Sequence, residues 1–243
     1  MNIFGKSDIG LKRNSNQDSF DYTIIDDDMV YALVCDGMGG AKGGGIASNL
    51  AKDCIKDYIL KNYDENMSQP DVEDMLKKAI YKANYEIFEM AQKNKELLGM
   101  GTTVVLTAIF KDKIHVAHVG DSRAYLVSND NIKQLTVDHS MVQQMIDDGK
   151  LTVEQAKDYP NKNIITRALG IDKNVDIDYY IDDKTENSMV LMCTDGLTNY
   201  LDEKTILNCC LHNEGENIID KLISSANNGG GSDNITVVVI NDR

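Results

Sequence analysis

Four apolar runs in this chain each meet an aspartate beside a glycine or another small residue. They are Val34-Cys35-Asp36-Gly37, His118-Val119-Gly120-Asp121-Ser122-Arg123, Met192-Cys193-Thr194-Asp195-Gly196 and Gly229-Gly230-Gly231-Ser232-Asp233-Asn234, the last of which precedes its run. Aspartate is a poor strand residue, and a single one at a strand end is usually just a turn residue. Four such junctions are a tighter restriction. If the strand ends converge, their charges cannot sit together without cations. Carboxylate oxygens select hard ions such as Mg²⁺ or Mn²⁺, which commonly keep several waters. Two such ions about 4 Å apart activate a water and clamp a phosphoryl group.

The segments between these junctions set the fold class. Met29 to Cys35 reads as a buried strand. From Ile46 to Leu60 the spacing becomes helical, and Pro70-Asp71 opens a second helix with Asp71, Glu73 and Asp74 in its first turn. The inner face of that helix is Met75, Ala79, Ala83, Ile87 and Met90 or Ala91. Thr102 to Phe110 and Ile114 to Val119 form a hairpin pattern, continued by Ser122 to Val127 and a turn at residues 128–131. Ser140 to Asp147 and Thr152 to Lys157 read as short helices, with Thr152 as an N-cap. Asp176 to Ile181, Met189 to Cys193 and Asn234 to Ile240 are strand candidates; Glu203 to Cys210 and Glu216 to Ala226 are helix candidates. This order predicts an α+β fold, with largely antiparallel sheets and helices packed outside. With 243 residues, two prolines and no Ser/Gly/Pro-rich linker, one domain over 1–243 is expected.

Charge and cysteines narrow the setting. A formal net charge of -14 argues against nucleic acid, whose phosphates would be repelled. Met1 to Arg13 lacks the apolar stretch of a secretory leader. No apolar run reaches the roughly 18 residues of a membrane span, so no membrane insertion is expected. Five cysteines without a CxxC pair fit small core residues in a reducing cytoplasm.

Glycine dominates after Asp36. Gly37 has no β-carbon, so its carbonyl is free to reach a cation, and the glycines to Gly45 permit close backbone approach. A nucleotide cradle would need Lys-Ser/Thr after the last glycine, where Ile46-Ala47 stands. Arg13, five positions before Asp18, is either an ordinary surface arginine or a holder of phosphate through two parallel hydrogen bonds.

With these motifs in order, the chain resembles metal-dependent protein serine/threonine phosphatases of the PP2C (PPM) type, in their compact bacterial form. The resemblance is carried by SDIGLKRNSNQDSF at 7–20, VCDGMGGAKGGGIAS at 34–48, MGTTVV at 100–105, HVGDSRAYL at 118–126, LTVDHSMVQQMIDDGKLT at 135–152, NIITRALG at 163–170, CTDGLTNYLD at 193–202 and GGGSDNITVVVI at 229–240. It implies a four-layer αββα sandwich, two antiparallel sheets flanked by helix pairs, with the site where strand ends from both sheets meet. By position, Asp36 resembles the carboxylate that bridges two Mn²⁺ or Mg²⁺ ions, and the Gly37 carbonyl a ligand of one. Asp195 and Asp233 resemble ligands of the other, and Asp18 an acid that holds metal-bound waters. Asp121, with Asp195, resembles the ligands of a third, weaker ion. Arg13 resembles the phosphate-holding arginine, and residues 140–163 a flap beside the cleft that affects substrate choice. The implied reaction is direct hydrolysis of phosphoserine and phosphothreonine in proteins by a water bridging two ions, without a phosphoenzyme. The implied partners are phosphorylated proteins and a cognate bacterial Ser/Thr kinase; a monomer is the default.

Two positions depart from the family pattern. Gln17 stands where Glu is common, which removes a charge and keeps an oxygen acceptor. Met38 stands where animal-type members carry a histidine and cannot donate a proton. His139 is the nearest histidine candidate for that role, against a structural part in the approach to the flap. Cys35 and Cys193 border the metal motifs and read as strand packing. Gln17 supports one alternative, a catalytically weak phosphoprotein-binding module of the same fold. A phosphodiesterase acting on small nucleotides through the same ions is another.

Overall fold

The computed structural model describes residues 1–128, 130–157, 159–160 and 163–241. In chain order the elements are β1 (Asn2–Asp8), β2 (Asp18–Ile24), β3 (Met29–Met38), α1 (Gly40–Asn62), α2 (Gln69–Lys93), β4 (Gly101–Thr102), β5 (Val104–Phe110), β6 (Lys113–Val119), β7 (Arg123–Ser128), β8 (Asn131–Gln134), α3 (Met141–Asp147), α4 (Val153–Lys157), β9 (Asp178–Asp183), β10 (Met189–Cys193), α5 (Asp195–Thr198), α6 (Glu203–His212), α7 (Glu216–Gly229) and β11 (Ile235–Asn241). One sheet has the order β1-β11-β10-β7-β8. The other has the order β2-β3-β5-β6-β9, with β4 paired to β3. Every pairing between strands is antiparallel.

Side-chain alternation explains why the central strands are apolar throughout. In β3, Met29, Tyr31, Leu33 and Cys35 enter the core shared with α1 and α2, while Val30, Ala32 and Val34 enter the core between the sheets. In β10, Met189, Leu191 and Cys193 face α6 and α7, while Val190 and Met192 face the other sheet. Successive strand residues point to opposite faces, so a strand covered on both faces has no polar side. The four layers are therefore helix pair, sheet, sheet, helix pair, as the resemblance implied.

Local signals account for the helix ends. Ser68 caps α2 in a reciprocal box with Asp71, and Pro70 lies in the first turn. Thr152 and Gln155 form a similar pair before α4, Thr152 Oγ1 accepting from the Gln155 N–H at 3.3 Å and Gln155 Oε1 accepting from the Thr152 N–H at 2.9 Å. The inner face of α2 ends on Ala91, which is buried, rather than Met90, which is 38% exposed.

Three differences from the expected pattern have physical reasons. The strands β1, β2 and β8 lie at sheet edges, where one side is open and the apolar signal is diluted. Helix α1 begins at Gly40, six residues before Ile46, because its glycine-rich first turns pack backbone to backbone rather than through side chains. Asp195 opens the four-residue helix α5, which is not among the expected helices because one turn is too short to show a helical period. Of the turn expected at residues 128–131, Asn131 already belongs to β8, and position 129 lies outside the described residues.

Candidate active site

Asp18 and Asp36 stand opposite each other at one end of the β2–β3 ladder. Both occupy the face turned toward the other sheet, in register with Phe20 and Val34. The first sheet delivers Asp195, just past β10, and Asp233, just before β11. Asp121 follows β6 in the turn to β7. The carboxyl of Asp36 feels the charges of Asp18, Asp195, Asp121 and Asp233 together. The four strand junctions of the sequence, with Asp18 added, therefore meet in one place.

Backbone and hydroxyl contacts hold this arrangement. Thr103 donates its N–H to the Asp36 carbonyl at 2.9 Å, and its Oγ1 accepts the Asp36 N–H at 3.0 Å. The Thr102 hydroxyl also donates to the Asp36 carbonyl at 2.9 Å. Thr103 Oγ1 lies 2.7 Å from the hydroxyl of Ser122, beside Asp121. Thr194 and Thr236 both donate their hydroxyls to Asp18 Oδ2, at 2.9 and 2.7 Å. Asn199 donates to Asp195 Oδ2 at 3.0 Å. Arg13 donates from Nη2 to Asp233 Oδ2 at 2.7 Å and from Nε to the Ser232 carbonyl at 3.3 Å. The arginine remains half exposed at the rim.

Glycines let the helix meet the strand end. A β-carbon on Gly37 would lie 2.1 Å from the Gly44 carbonyl oxygen and 2.5 Å from that of Gln17. A β-carbon on Gly44 would lie 2.5 Å from the Gly37 carbonyl oxygen. These are backbone atoms with no rotamer to change. Gly39, at φ 118, turns the chain from β3 into α1 in a region that suits only glycine. The glycine run thus seats α1 against the site.

Burial and mutual repulsion govern the electrostatics. Burial is the main cause that raises Asp36 well above the usual carboxylate range, with the four neighbouring charges adding to it. Asp18 is pushed up to about 7, chiefly by burial, against the two threonine hydroxyls, with Asp195 and Asp233 adding. Asp121 is pushed up to about 8 by burial and by Asp195 and Asp138. Asp195 is raised by burial and Asp233, against hydrogen bonds from Asn199 and the Asp36 carboxyl. Asp18 Oδ1 and Asp195 Oδ1 are buried with no hydrogen-bond partner among the described residues. Buried, unpartnered carboxylate oxygens crowded by like charge fit one or more divalent cations, and an all-oxygen set fits Mn²⁺ or Mg²⁺.

Other residues singled out in the sequence fall outside this cluster or support it. Cys35 and Cys193 are buried in the two helix-side cores. Burial raises both thiols, Cys193 to about 12, as suits inert packing residues. The Gln17 amide donates to the Gly40 carbonyl at 2.9 Å, tying it to the start of α1. His139 Nδ1 accepts from the Gly120 N–H and Nε2 faces Asp178, so neither nitrogen is free to act as a proton donor to a substrate. Sequence reading missed Thr102, Thr103, Ser122, Thr194, Asn199, Thr236 and Asn234. Thr194 and Thr236 carried one usable signal: Thr236 in β11, and Thr194 one residue past β10, continue the alternate positions that point between the sheets.

Comparison with known proteins agrees with this geometry. Residues 11–170 match the family model Protein phosphatase 2C. The chain is 34% identical over 236 residues to "Serine/threonine phosphatase stp" of Listeria welshimeri, covering 97% of this chain and 93% of that one. Serine/threonine phosphatase Stp1 from Staphylococcus aureus superposes with a TM-score of 0.93 at 32% identity, over 99% of this chain and 94% of that one. The catalytic domain of the serine/threonine protein phosphatase PstP, solved with two manganese ions, superposes with a TM-score of 0.84 at 30% identity, over 98% and 96%.

Proposed function

The chain belongs to the protein phosphatase 2C family, and we propose that it removes phosphate from phosphoserine and phosphothreonine in proteins with two Mn²⁺ or Mg²⁺ ions. It is a protein serine/threonine phosphatase. In this reading Asp36 and the Gly37 carbonyl would hold one ion, and Asp36, Asp195 and Asp233 would hold the other. Asp121 with Asp195 would take a third, weaker ion. The chemistry such ions supply when bound is acidification of a water and neutralisation of phosphoryl oxygens.

The chain's own residues then have separate tasks. Asp18, clamped through one oxygen by two threonines, keeps its second oxygen, buried and without a partner among the described residues, as an acceptor for bound waters. Arg13, half exposed at the rim, carries the fork of donors that suits a phosphate. Thr102 and Thr103 fix the Asp36 backbone, so the carboxylate does not need to reorganise as charge develops. Residues 140–163 act as the flap. Both of its ends are pinned: Met141 donates to the Ile164 carbonyl at 2.9 Å and Thr166 to the His139 carbonyl at 2.8 Å. Positions 158, 161 and 162 lie outside the described residues. Residues 1–243 serve as one phosphatase domain, acting as a monomer in the cytoplasm on phosphoproteins that include a cognate Ser/Thr kinase.

The observation that carries this reading is the convergence of Asp18, Asp121, Asp195 and Asp233 on Asp36. The deciding experiment is hydrolysis of a phosphothreonine peptide with Mn²⁺, with and without EDTA. Activity that requires the ion supports the reading; full activity after chelation overturns it. The binding-module alternative rested on Gln17, whose amide is engaged with the backbone of Gly40.

A further inference from the structure

His118, His139 and Asp178 present ligand atoms within 4.8 Å of one another, outside the aspartate cluster. Proton accounting argues against a metal there. The lone pair of His139 Nδ1 is taken by the Gly120 N–H at 3.0 Å. The ring has one lone-pair nitrogen, so a neutral imidazole then carries its proton on Nε2, facing Asp178 Oδ2 at 3.3 Å; Arg167 Nη1, 3.1 Å from the same Nε2, packs beside the ring rather than donating into it. Burial and the neighbouring Arg167 hold the ring below its ordinary pKa, consistent with that neutral tautomer. Arg167 already supplies positive charge, donating to Asp178 Oδ1 at 2.6 Å and to the Asp176 carbonyl at 3.1 Å.

The same contacts point elsewhere. His139 and Gly120 exchange two hydrogen bonds, since the His139 N–H also donates to the Gly120 carbonyl at 2.9 Å. Gly120 has φ 113, and a β-carbon there would meet Thr103 Cγ2 at 2.5 Å, so its backbone has little freedom. Asp121 is the next residue. The His139 ring stacks on His118 at 4.5 Å, and His118 is itself anchored by Nε2 donating to the Val137 carbonyl at 2.9 Å. The His139 carbonyl accepts from Thr166, and Ser140 bridges to Ile165, at the base of the segment 140–163.

We propose that His139 is a positioning residue for Asp121, holding the Gly120–Asp121 turn through Nδ1 while Asp178 and Arg167 hold the ring. The metal side of this inference rests on the reading of Asp121 as an ion ligand; the backbone side does not. Residues that orient metal ligands from outside the coordination sphere typically change affinity by about 10–100-fold when removed. His139 thereby links the base of the flap to the weakest of the three ion positions.

The test uses the full chain with two readouts. One is the Gly120 amide, followed by ¹H–¹⁵N NMR and solvent exchange in metal-free protein; the other is a calorimetric Mn²⁺ titration. Asp121→Asn first identifies which binding step depends on Asp121. His139→Leu removes the acceptor, and His139→Asn replaces Nδ1 with an oxygen acceptor. The expected result for His139→Leu is Gly120 exchange at least about tenfold faster, and about tenfold weaker binding at the Asp121 step alone. His139→Asn should recover most of both. A folded His139→Leu protein with wild-type Gly120 exchange, or with an unchanged Asp121 step, overturns the proposal. If that variant does not fold, Asp178→Asn removes the anchor of the ring instead, and wild-type values for both readouts there overturn it equally. A wild-type titration in Asp121→Asn would instead refute the ligand reading of Asp121, and Gly120 exchange would then decide the positioning claim by itself.

Discussion

Asn234 Oδ1 accepts the backbone N–H of Gln17 at 2.8 Å, across 217 positions of sequence. The same side chain donates to the carbonyls of Ile9 and Ser15, at 2.9 and 3.1 Å. One buried amide therefore pins both ends of the loop that carries Arg13. Asn234→Ala leaves three backbone groups without partners and should destabilise the protein by about 2–4 kcal/mol. Urea denaturation reads that change. Steady-state kinetics on a phosphopeptide should show KM rising more than kcat falls, because Arg13 loses its place while the aspartates keep theirs. A fall in kcat alone would contradict this.

Crowded acids predict an opposition between stability and turnover. Asp36→Asn removes one of several mutually repelling buried charges. Turnover with Mn²⁺ should drop by about 10²–10³-fold or more. The EDTA-treated variant at pH 8 should melt at a higher temperature than EDTA-treated wild type. Calorimetry on both proteins checks the sign.

The pH dependence of the metal-free protein follows from the raised acids. Asp18 at about 7 and Asp121 at about 8 bind protons in the folded state that the unfolded chain has already released above about pH 4. Stability from these groups is complete below the unfolded pKa and is lost as pH rises through the folded values. Metal-free protein should therefore lose at least about 5 °C in Tm between pH 5 and pH 8, each kcal/mol being worth about 2–4 °C at this size. Mn²⁺ should raise Tm more at pH 8 than at pH 5, since it binds the charged carboxylates. A flat profile without metal would count against the cluster.

The glycines of α1 should divide sharply by position. Gly44→Ala forces a β-carbon onto the Gly37 carbonyl oxygen and should cost about 1–3 kcal/mol with a clear loss of kcat. One residue later, the nearest atoms to a β-carbon on Gly45 lie 3.9 and 4.0 Å away. Gly45→Ala should be neutral or stabilise by up to about 1 kcal/mol, as alanine does in a helix. Thermal melts and kinetics of the pair settle the point; equal effects would mean that the close approach is unimportant.

Much of this was legible in the sequence because the chemistry is concentrated at strand ends. Asp36, Asp121, Asp195 and Asp233 announced themselves by interrupting apolar runs, and β10 was readable to its exact ends because it is buried on both faces. Asp18 was harder, since β2 is an edge strand with a mixed face, and it entered only through the family resemblance. The supporting hydroxyls gave little beyond the parity of Thr194 and Thr236. Thr194, Thr236 and Thr103 look like ordinary strand threonines, and only the meeting of the two sheets gives them partners. The glycine run was misread in extent because periodicity needs side chains, and the start of α1 has almost none.

The two hydroxyls on Asp18 both reach the same oxygen, one from beyond β10 and one from β11, while Asp18 itself belongs to the opposite sheet. A single carboxylate is thus a rivet between the halves of the sandwich, with one oxygen fastened and the other buried without a hydrogen-bond partner among the described residues. Mechanical integrity and reactivity draw on one side chain. Any change that spreads the halves apart at this end would blunt the catalyst before it unfolded it.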